Sequence, residues 1–194
     1  MKQFLGVYEL VARPFSFWKK VQGQSREEAL MGHLYPWISI YALWAILYGL
    51  FLENFERSHL STVLMKVFMV TISLFLSYFL MIWVLKKLLQ IFLPAHTWKS
   101  EIEVFAAYMM TYAVVTEFCR TVIFLDKYSW VSLLLRAIFI AFMCTSVEKG
   151  MKLFFPLKTY IQKFLFATVC FIFVVILPMA IQGLFNYLSE LMPK

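Results

Sequence analysis

Four charged residues within or beside strongly apolar stretches are the ones whose chemistry could matter most: Glu117, Arg120, Arg136 and Glu148. A charge at the centre of a bilayer costs at least about 2.5–3.5 kcal/mol on insertion scales, so each needs a partner or water. Glu117 and Arg120 are three residues apart, which lets their side chains meet on a helix. The pattern predicts an intramembrane polar cluster in which Glu117 contacts Arg136 across a hairpin and Arg120 shares the carboxylate.

Two interpretations of this cluster stay open. Paired charges in a membrane hairpin commonly fix the register of two helices, and this structural interpretation is the one we favour. The alternative is a functional polar pocket or ion path. Glu148 stands near the end of an apolar stretch, where its side chain can reach the headgroup layer, so a structural role is favoured more strongly there.

Signatures of enzymes and of metal sites are missing from the sequence. It contains no H-E-x-x-H, no G-x-S-x-G and no P-loop. Neither the three histidines nor the three cysteines stand at the spacing of a zinc motif. We therefore expect no catalytic residue, no metal ligand and no cofactor.

The composition shows which elements must position these charges. Of the 194 residues 62% are hydrophobic and 15% charged, against about 45–50% and about 25% in an ordinary soluble domain. A soluble fold of this length cannot bury that much apolar surface. This excludes a disordered chain, a disulfide scaffold and a conventional cytosolic enzyme. The net charge of +7 lies mostly at the ends of apolar runs, which favours a lipid bilayer over nucleic acid as the partner.

The apolar runs predict an all-α, polytopic membrane bundle. Each run supplies the roughly 20 residues that cross a hydrocarbon core. Pro178 is expected to kink the last helix. The five predicted transmembrane helices cover about 35–52, 62–85, 102–125, 130–147 and 164–187.

Residues 1–34 are predicted to form an amphipathic segment at the cytoplasmic interface. Trp18, Lys19 and Lys20 have the aromatic and basic character of an anchor in the headgroup layer. Pro14 is expected to break the first short helix. Ser25 to Glu28 form a potential capping box for the helix that leads into the first span.

The distribution of lysine and arginine predicts the orientation. One side receives the N-terminal segment and the second and fourth connections, with twelve basic residues against four on the other side. The positive-inside rule therefore places the N-terminus in the cytoplasm and, with five crossings, the C-terminus outside.

Three stretches carry a family resemblance. They are the juxtamembrane Arg13–Val21, the Tyr35-Pro36-Trp37 opening of the first span, and the third span from Phe105-Ala106-Ala107-Tyr108 onward with a fourth helix ending near Glu148-Lys149-Gly150. On these the chain resembles the Yip family of Ypt/Rab-interacting membrane proteins, particularly its bacterial branch. The resemblance implies a five-helix bundle in the bacterial inner (plasma) membrane, with a cytoplasmic N-terminus and without enzymatic activity.

The resemblance implies an architecture more than an activity. Eukaryotic Yip proteins act in vesicle trafficking and contact small GTPases through a long cytoplasmic N-terminal region. That region is only about 34 residues here, so GTPase binding does not carry over. We expect a non-enzymatic scaffold that organises the membrane or binds a membrane-protein partner or a second copy of itself. The alternative is a small transporter or channel using Glu117, Arg120 and Arg136.

Overall fold

The computed structural model describes residues 2–52, 57–94, 98–122 and 129–191, and this part of the chain is helical with no strand. Within these described ranges, two π-helical turns interrupt the series of α-helices. The elements in order are α1 (Lys2–Ala12), α2 (Pro14–Val21), α3 (Arg26–Ala29), the first π-turn (Leu30–Leu34), α4 (Tyr35–Leu52), α5 (Arg57–Phe92), α6 (Lys99–Val122), α7 (Ser129–Phe154), α8 (Tyr160–Phe171), the second π-turn (Ile172–Ile176) and α9 (Leu177–Leu191).

The N-terminal helices begin and end at the signals in the sequence. Pro14 is the first residue of α2, where its missing N–H costs nothing. The capping box is confirmed: Ser25 Oγ accepts from the Glu28 backbone N–H at 3.2 Å, and the Ser25 N–H donates to Glu28 Oε2 at 2.8 Å. The helix opened there runs without a break through the first π-turn into α4. Residues 26–34 are thus continuous with the first span.

Both π-turns stand at the same distance from a proline. The first ends at Leu34, two residues before Pro36, and the second ends at Ile176, two residues before Pro178. Proline lacks an N–H, and its ring clashes with the carbonyl four residues earlier, so a wider preceding turn relieves the conflict. At Pro178, where the sequence predicts a kink, the structure places a π-turn directly before the proline.

Four helical stretches in the described residues are long and apolar enough to cross a membrane, which is characteristic of a membrane protein. They overlap the first, second, third and fifth predicted spans. The predicted fourth span falls within α7, a helix of 26 residues, several of whose side chains lie outside the described part of the chain. The four stretches are Arg26–Leu47, Val67–Phe92, Lys99–Cys119 and Tyr160–Phe185.

The α6 helix lies at the centre of the bundle. Every residue from Ile102 to Val115 is buried, and the helix packs against α3, α4, α5, α7 and both π-turns. Large apolar side chains on the outer helices are instead exposed, as expected of surfaces that face lipid. They include Phe68, Phe79 and Trp83 on α5 and Ile161 and Phe164 on α8.

Three basic segments meet at one end of this bundle. Gln22 Nε2 donates to the Leu153 carbonyl at 3.4 Å, and the Trp98 and Phe155 rings lie 5.9 Å apart. We call this the basic end and define it as residues 13–26, 86–94, 98–101 and 149–163. The structure thus brings together the segments that the lysine and arginine count assigns to one side.

Candidate functional site

The basic end is built around Trp18, which α2 inserts between α6 and α7. The side chain is 0% exposed. Its indole stacks on Phe105, with ring centroids 5.1 Å apart and planes at 20°. Phe17, Tyr108 and Phe154 approach it edge-on at 5.5, 5.9 and 5.6 Å, an arrangement that suits the quadrupoles of aromatic rings.

The indole nitrogen and a glycine complete this packing. Trp18 Nε1 donates to the Ser146 carbonyl at 2.9 Å and lies 3.1 Å from Ser146 Oγ, so the buried N–H has a partner. A Cβ at Gly150 would lie 2.7 Å from the Trp18 ring and 2.8 Å from the Phe105 ring. Only glycine leaves room here. We call this arrangement the Trp18 slot, formed by Phe105, Tyr108, Ser146, Gly150 and Phe154.

This burial corrects the predicted interfacial anchor. Trp18 packs inside the protein and does not meet headgroups, because the helical period of α2 turns it inward together with Phe17 and Val21. Lys19 and Lys20 remain exposed. Lys20 Nζ lies 3.0 Å from Glu9 Oε2, which joins α1 to α2 on the surface.

Contacts to Tyr108 of the Trp18 slot hold the N-terminal segment to α6. Tyr108 Oη donates to Gln24 Oε1 at 2.6 Å, and the His33 ring in the first π-turn lies 5.0 Å from the Tyr108 ring. A Cβ at Gly6 would lie 2.7 Å from His33 Cε1. The 22–25 turn and the first π-turn therefore both contact a single tyrosine of the central helix, and α1 approaches the His33 ring.

An ion pair joins α5 to α6 at the same end. Lys86 Nζ lies 3.0 Å from Glu103 Oε1, and the two side chains are 30% and 10% exposed. Removing one partner of such a shielded pair leaves a charge without compensation. We interpret this pair as a contact that fixes the two helices relative to each other.

Glu148 lies directly beside the basic end, away from Glu117. Its side chain is half exposed and forms an ion pair with Lys152 at 2.5 Å. Since Gly150 touches Phe105, Glu148 is level with the first part of α6, whereas Glu117 lies twelve residues farther along, about 18 Å at helical rise. The structure therefore separates Glu148 from the predicted intramembrane cluster.

Positive charge surrounds the Glu148 carboxylate. Its hydrogen bond from Lys152 lowers the pKa below the ordinary value, with further lowering by the charges of Lys152, Lys149 and Lys163. Three lysines from α7 and α8 thus act on one carboxylate.

The remaining members of the predicted cluster lie toward the opposite end. Glu117 is half-buried on α6, and the side chains of Arg120 and Arg136 lie outside the described residues, so the Glu117–Arg136 contact stays a prediction. Tyr112 Oη donates to the Phe139 carbonyl at 2.6 Å and sets the register of α6 against α7. Because the two helices are antiparallel, the backbones at 117 and 136 lie beyond this bond in the same direction.

An open cavity of 360 Å³ lies between the 22–24 turn, the first turn of α6 and the end of α7. Gln22, Gln24 and Glu101 supply amide and carboxylate groups to its wall, while Trp98 and Phe154 supply aromatic surface. These groups can bind water or a small hydrogen-bonding molecule.

Metal-ligand types do not converge in the described residues, where no three histidine, cysteine, aspartate or glutamate side chains come together to hold an ion. The thiols of Cys119, Cys144 and Cys170 are free and stand in intermediate, exposed and buried positions, respectively.

Sequence reasoning missed the Trp18 slot, although one residue signals it. The sequence predicts a helix end at Glu148-Lys149-Gly150, yet α7 continues to Phe154. A glycine inside a helix costs stability, so it is expected where another group approaches the backbone closely. Here that group is the ring of Trp18.

Comparison with known proteins gives no match: no family model matches the chain, and neither a curated protein nor a solved structure resembles it significantly.

Proposed function

We propose that this protein is a non-enzymatic membrane scaffold that organises the bilayer or binds a membrane-protein partner. The observation that carries the proposal is the burial of α6 over Ile102–Val115. A helix lining a solute path needs a polar, hydrated face. This stretch instead packs on all sides against neighbouring helices, which suits a rigid support.

We further propose five crossings, with α7 as the fourth span. Its 26 residues reach about 39 Å, enough to cross a hydrocarbon core of about 30 Å. With α7 included, the N-terminal segment and the second and fourth connections share one side. The positive-inside rule then makes the basic end cytoplasmic, so that the C-terminus is external.

The resemblance to the Yip family supports this architecture. Two of the three stretches that carry it pack against each other, because Trp18 stacks on Phe105 and both rings close over Gly150. These positions therefore form one packing unit. We propose a Yip-type protein of the bacterial inner membrane whose partner is another membrane protein or a second copy, with no role for a GTPase.

A small transporter or channel is the alternative, favoured by the half-buried position of Glu117 within a span. Reconstitution of the purified protein into vesicles, with ion and solute flux measured across them, separates the two functions. A scaffold is expected to give no flux above empty vesicles. Flux that Glu117→Gln abolishes, while the exposed control Glu27→Gln retains it, would establish transport and overturn the scaffold.

Cysteine labelling in cells tests the topology. In a background with the native cysteines replaced by serine, an impermeant reagent added outside is expected to label Glu190→Cys and to spare Lys158→Cys. Protection of position 190 with labelling of 158 would reverse the orientation. Protection of both would remove one crossing from the bundle.

Chemical cross-linking in intact cells tests the scaffold directly. Cross-links from the exposed lysines of the basic end to one recurring membrane protein, or to a second copy, are the expected result. Their disappearance in a Trp18→Ala variant that still inserts in the membrane would show that the packed end presents the binding surface.

A further inference from the structure

The connection from α7 to α8 concentrates positive charge. Residues 149–163 contain four lysines and no acidic residue. Lys152 and Lys158 are exposed, and Lys149 and Lys163 are partly exposed. All four ammonium groups belong to a segment at the end of the bundle, where the proposed topology places lipid headgroups.

Buried residues fix the shape of this connection. Phe155 and Leu157 are 2% and 6% exposed, and the Leu157 N–H donates to the Phe155 carbonyl at 2.8 Å. The Phe155 ring packs 5.0 Å from Phe166 of α8. Thr159 and Gln162 then form a capping box that starts α8. Lys158 thus stands on a turn held by the core, and Lys149, Lys152 and Lys163 stand on the ends of the two helices that this turn joins.

Three of the four lysines also act on one anion, and one of them contacts it directly. The Glu148 carboxylate bonds to Lys152 and lies within the electrostatic reach of Lys149 and Lys163. This carboxylate is half exposed, so a stronger external anion can replace it.

An apolar surface adjoins the lysines on α8. Tyr160, Ile161 and Phe164 are 81%, 68% and 59% exposed, and they belong to a helix apolar enough to span the membrane. A molecule with a negative head and apolar tails matches a cationic group above an apolar face.

We propose that the α7–α8 connection is a binding site for an anionic phospholipid, with the headgroup phosphate among Lys149, Lys152 and Lys163 and the acyl chains along Ile161 and Phe164. Lys158 lies on the same connection and adds to the attraction. Basic pockets between membrane helices are a recurring form of anionic-lipid site. The proposal holds whether the protein is a scaffold or a transporter.

Native mass spectrometry of the full-length protein in detergent tests this site. Phosphatidylglycerol is titrated against phosphatidylcholine, which carries a phosphate but no net charge. Lys149→Gln/Lys152→Gln/Lys163→Gln is expected to weaken phosphatidylglycerol binding about tenfold or more, since each lysine near a lipid surface contributes measurably. The control Lys19→Gln/Lys87→Gln/Lys99→Gln removes the same charge from exposed positions of the basic end and is expected to change binding less than about twofold. Equal losses in the two variants would overturn the site.

A second variant is expected to change lipid binding in the opposite direction, as a gain and not a loss. Glu148→Gln removes the competing carboxylate, so phosphatidylglycerol binding is expected to strengthen several-fold. Weaker binding in this variant would contradict the proposal. Soluble glycerol phosphate at millimolar concentration is expected to leave the bound lipid in place. If it displaces the lipid completely, the site accepts free phosphate and the lipid assignment is wrong.

Discussion

The helices around the Trp18 slot and the last span are both rich in large apolar residues, yet they are packed in different ways. Over an apolar window of 18 residues in α6, 78% of residues are buried inside the protein, against 22% over such a window between Tyr160 and Phe185. Two glycines show the contrast: Gly150 faces the rings of Trp18 and Phe105, whereas a Cβ at Gly183 would have nothing within 4 Å. An apolar composition therefore identifies residues that avoid water, whereas close packing identifies those that contact other parts of the protein.

The largest expected effect is the loss of Trp18. Trp18→Ala leaves a cavity between α6 and α7, and buried aromatic-to-alanine changes cost about 3–5 kcal/mol. The matched control is Trp83→Ala on α5, where the side chain is 61% exposed and the cost should stay within about 0.5 kcal/mol. The free energy of unfolding from SDS titration measures both. Similar losses in the two variants would contradict a specific slot.

Substitution by alanine should change the free energy of unfolding in opposite directions at Gly150 and Gly183. Gly150→Ala forces its Cβ against two packed rings and is expected to destabilise by about 1–3 kcal/mol. Gly183→Ala is unhindered and is expected to stabilise by up to about 1 kcal/mol, because alanine is the better helix former. The same titration compares them. Destabilisation at 183 would mean that α9 has a close protein neighbour.

A smaller loss of stability is expected from a change at Tyr108, the tyrosine of the Trp18 slot. Tyr108→Phe keeps the ring contacts but removes the 2.6 Å hydrogen bond to Gln24, a loss of about 1 kcal/mol. Tyr187→Phe in the last span is the control, since Tyr187 is 60% exposed. Hydrogen exchange of residues 22–26 gives a local measure. Unchanged protection there in Tyr108→Phe would show that the bond does not hold the turn.

The smallest effect concerns the Glu148–Lys152 pair. Because the folded state lowers the Glu148 pKa from 4.5, the pair stabilises above that pH and its contribution is lost as the pH falls through the folded value. Exposed i,i+4 pairs are worth about 0.3–0.5 kcal/mol. The stability difference between wild type and Glu148→Gln, measured at neutral pH and well below 4.5, should shrink to near zero. A difference that persists in acid would rule out the ion pair as its cause.

The sequence predicts local structure well where the signal is local. The Ser25 capping box and the break at Pro14 both depend on residues a few positions apart. The all-α architecture depends on runs of about 20 apolar residues, which few other folds tolerate. These features were therefore accessible before any tertiary contact was known.

The docking of one helix on another was not accessible in the same way. Trp18 beside two lysines has the composition of a headgroup anchor, and only the position of α7 shows that Ser146 satisfies its N–H. The sequence groups Glu148 with the cluster as a charge beside an apolar stretch, yet the end of α7 on which it stands lies away from Glu117. In both cases the missing information is the partner on a different helix.

The two π-turns have a consequence for insertions and deletions. A π-turn is an α-helix with one extra residue, and one residue corresponds to about 100° of rotation. Removing a residue from Ile172–Ile176 would therefore rotate all of α9 relative to α8, moving each side chain to a different face. The length of this short segment, more than its residue types, sets which side of α9 meets α5 and which side meets lipid.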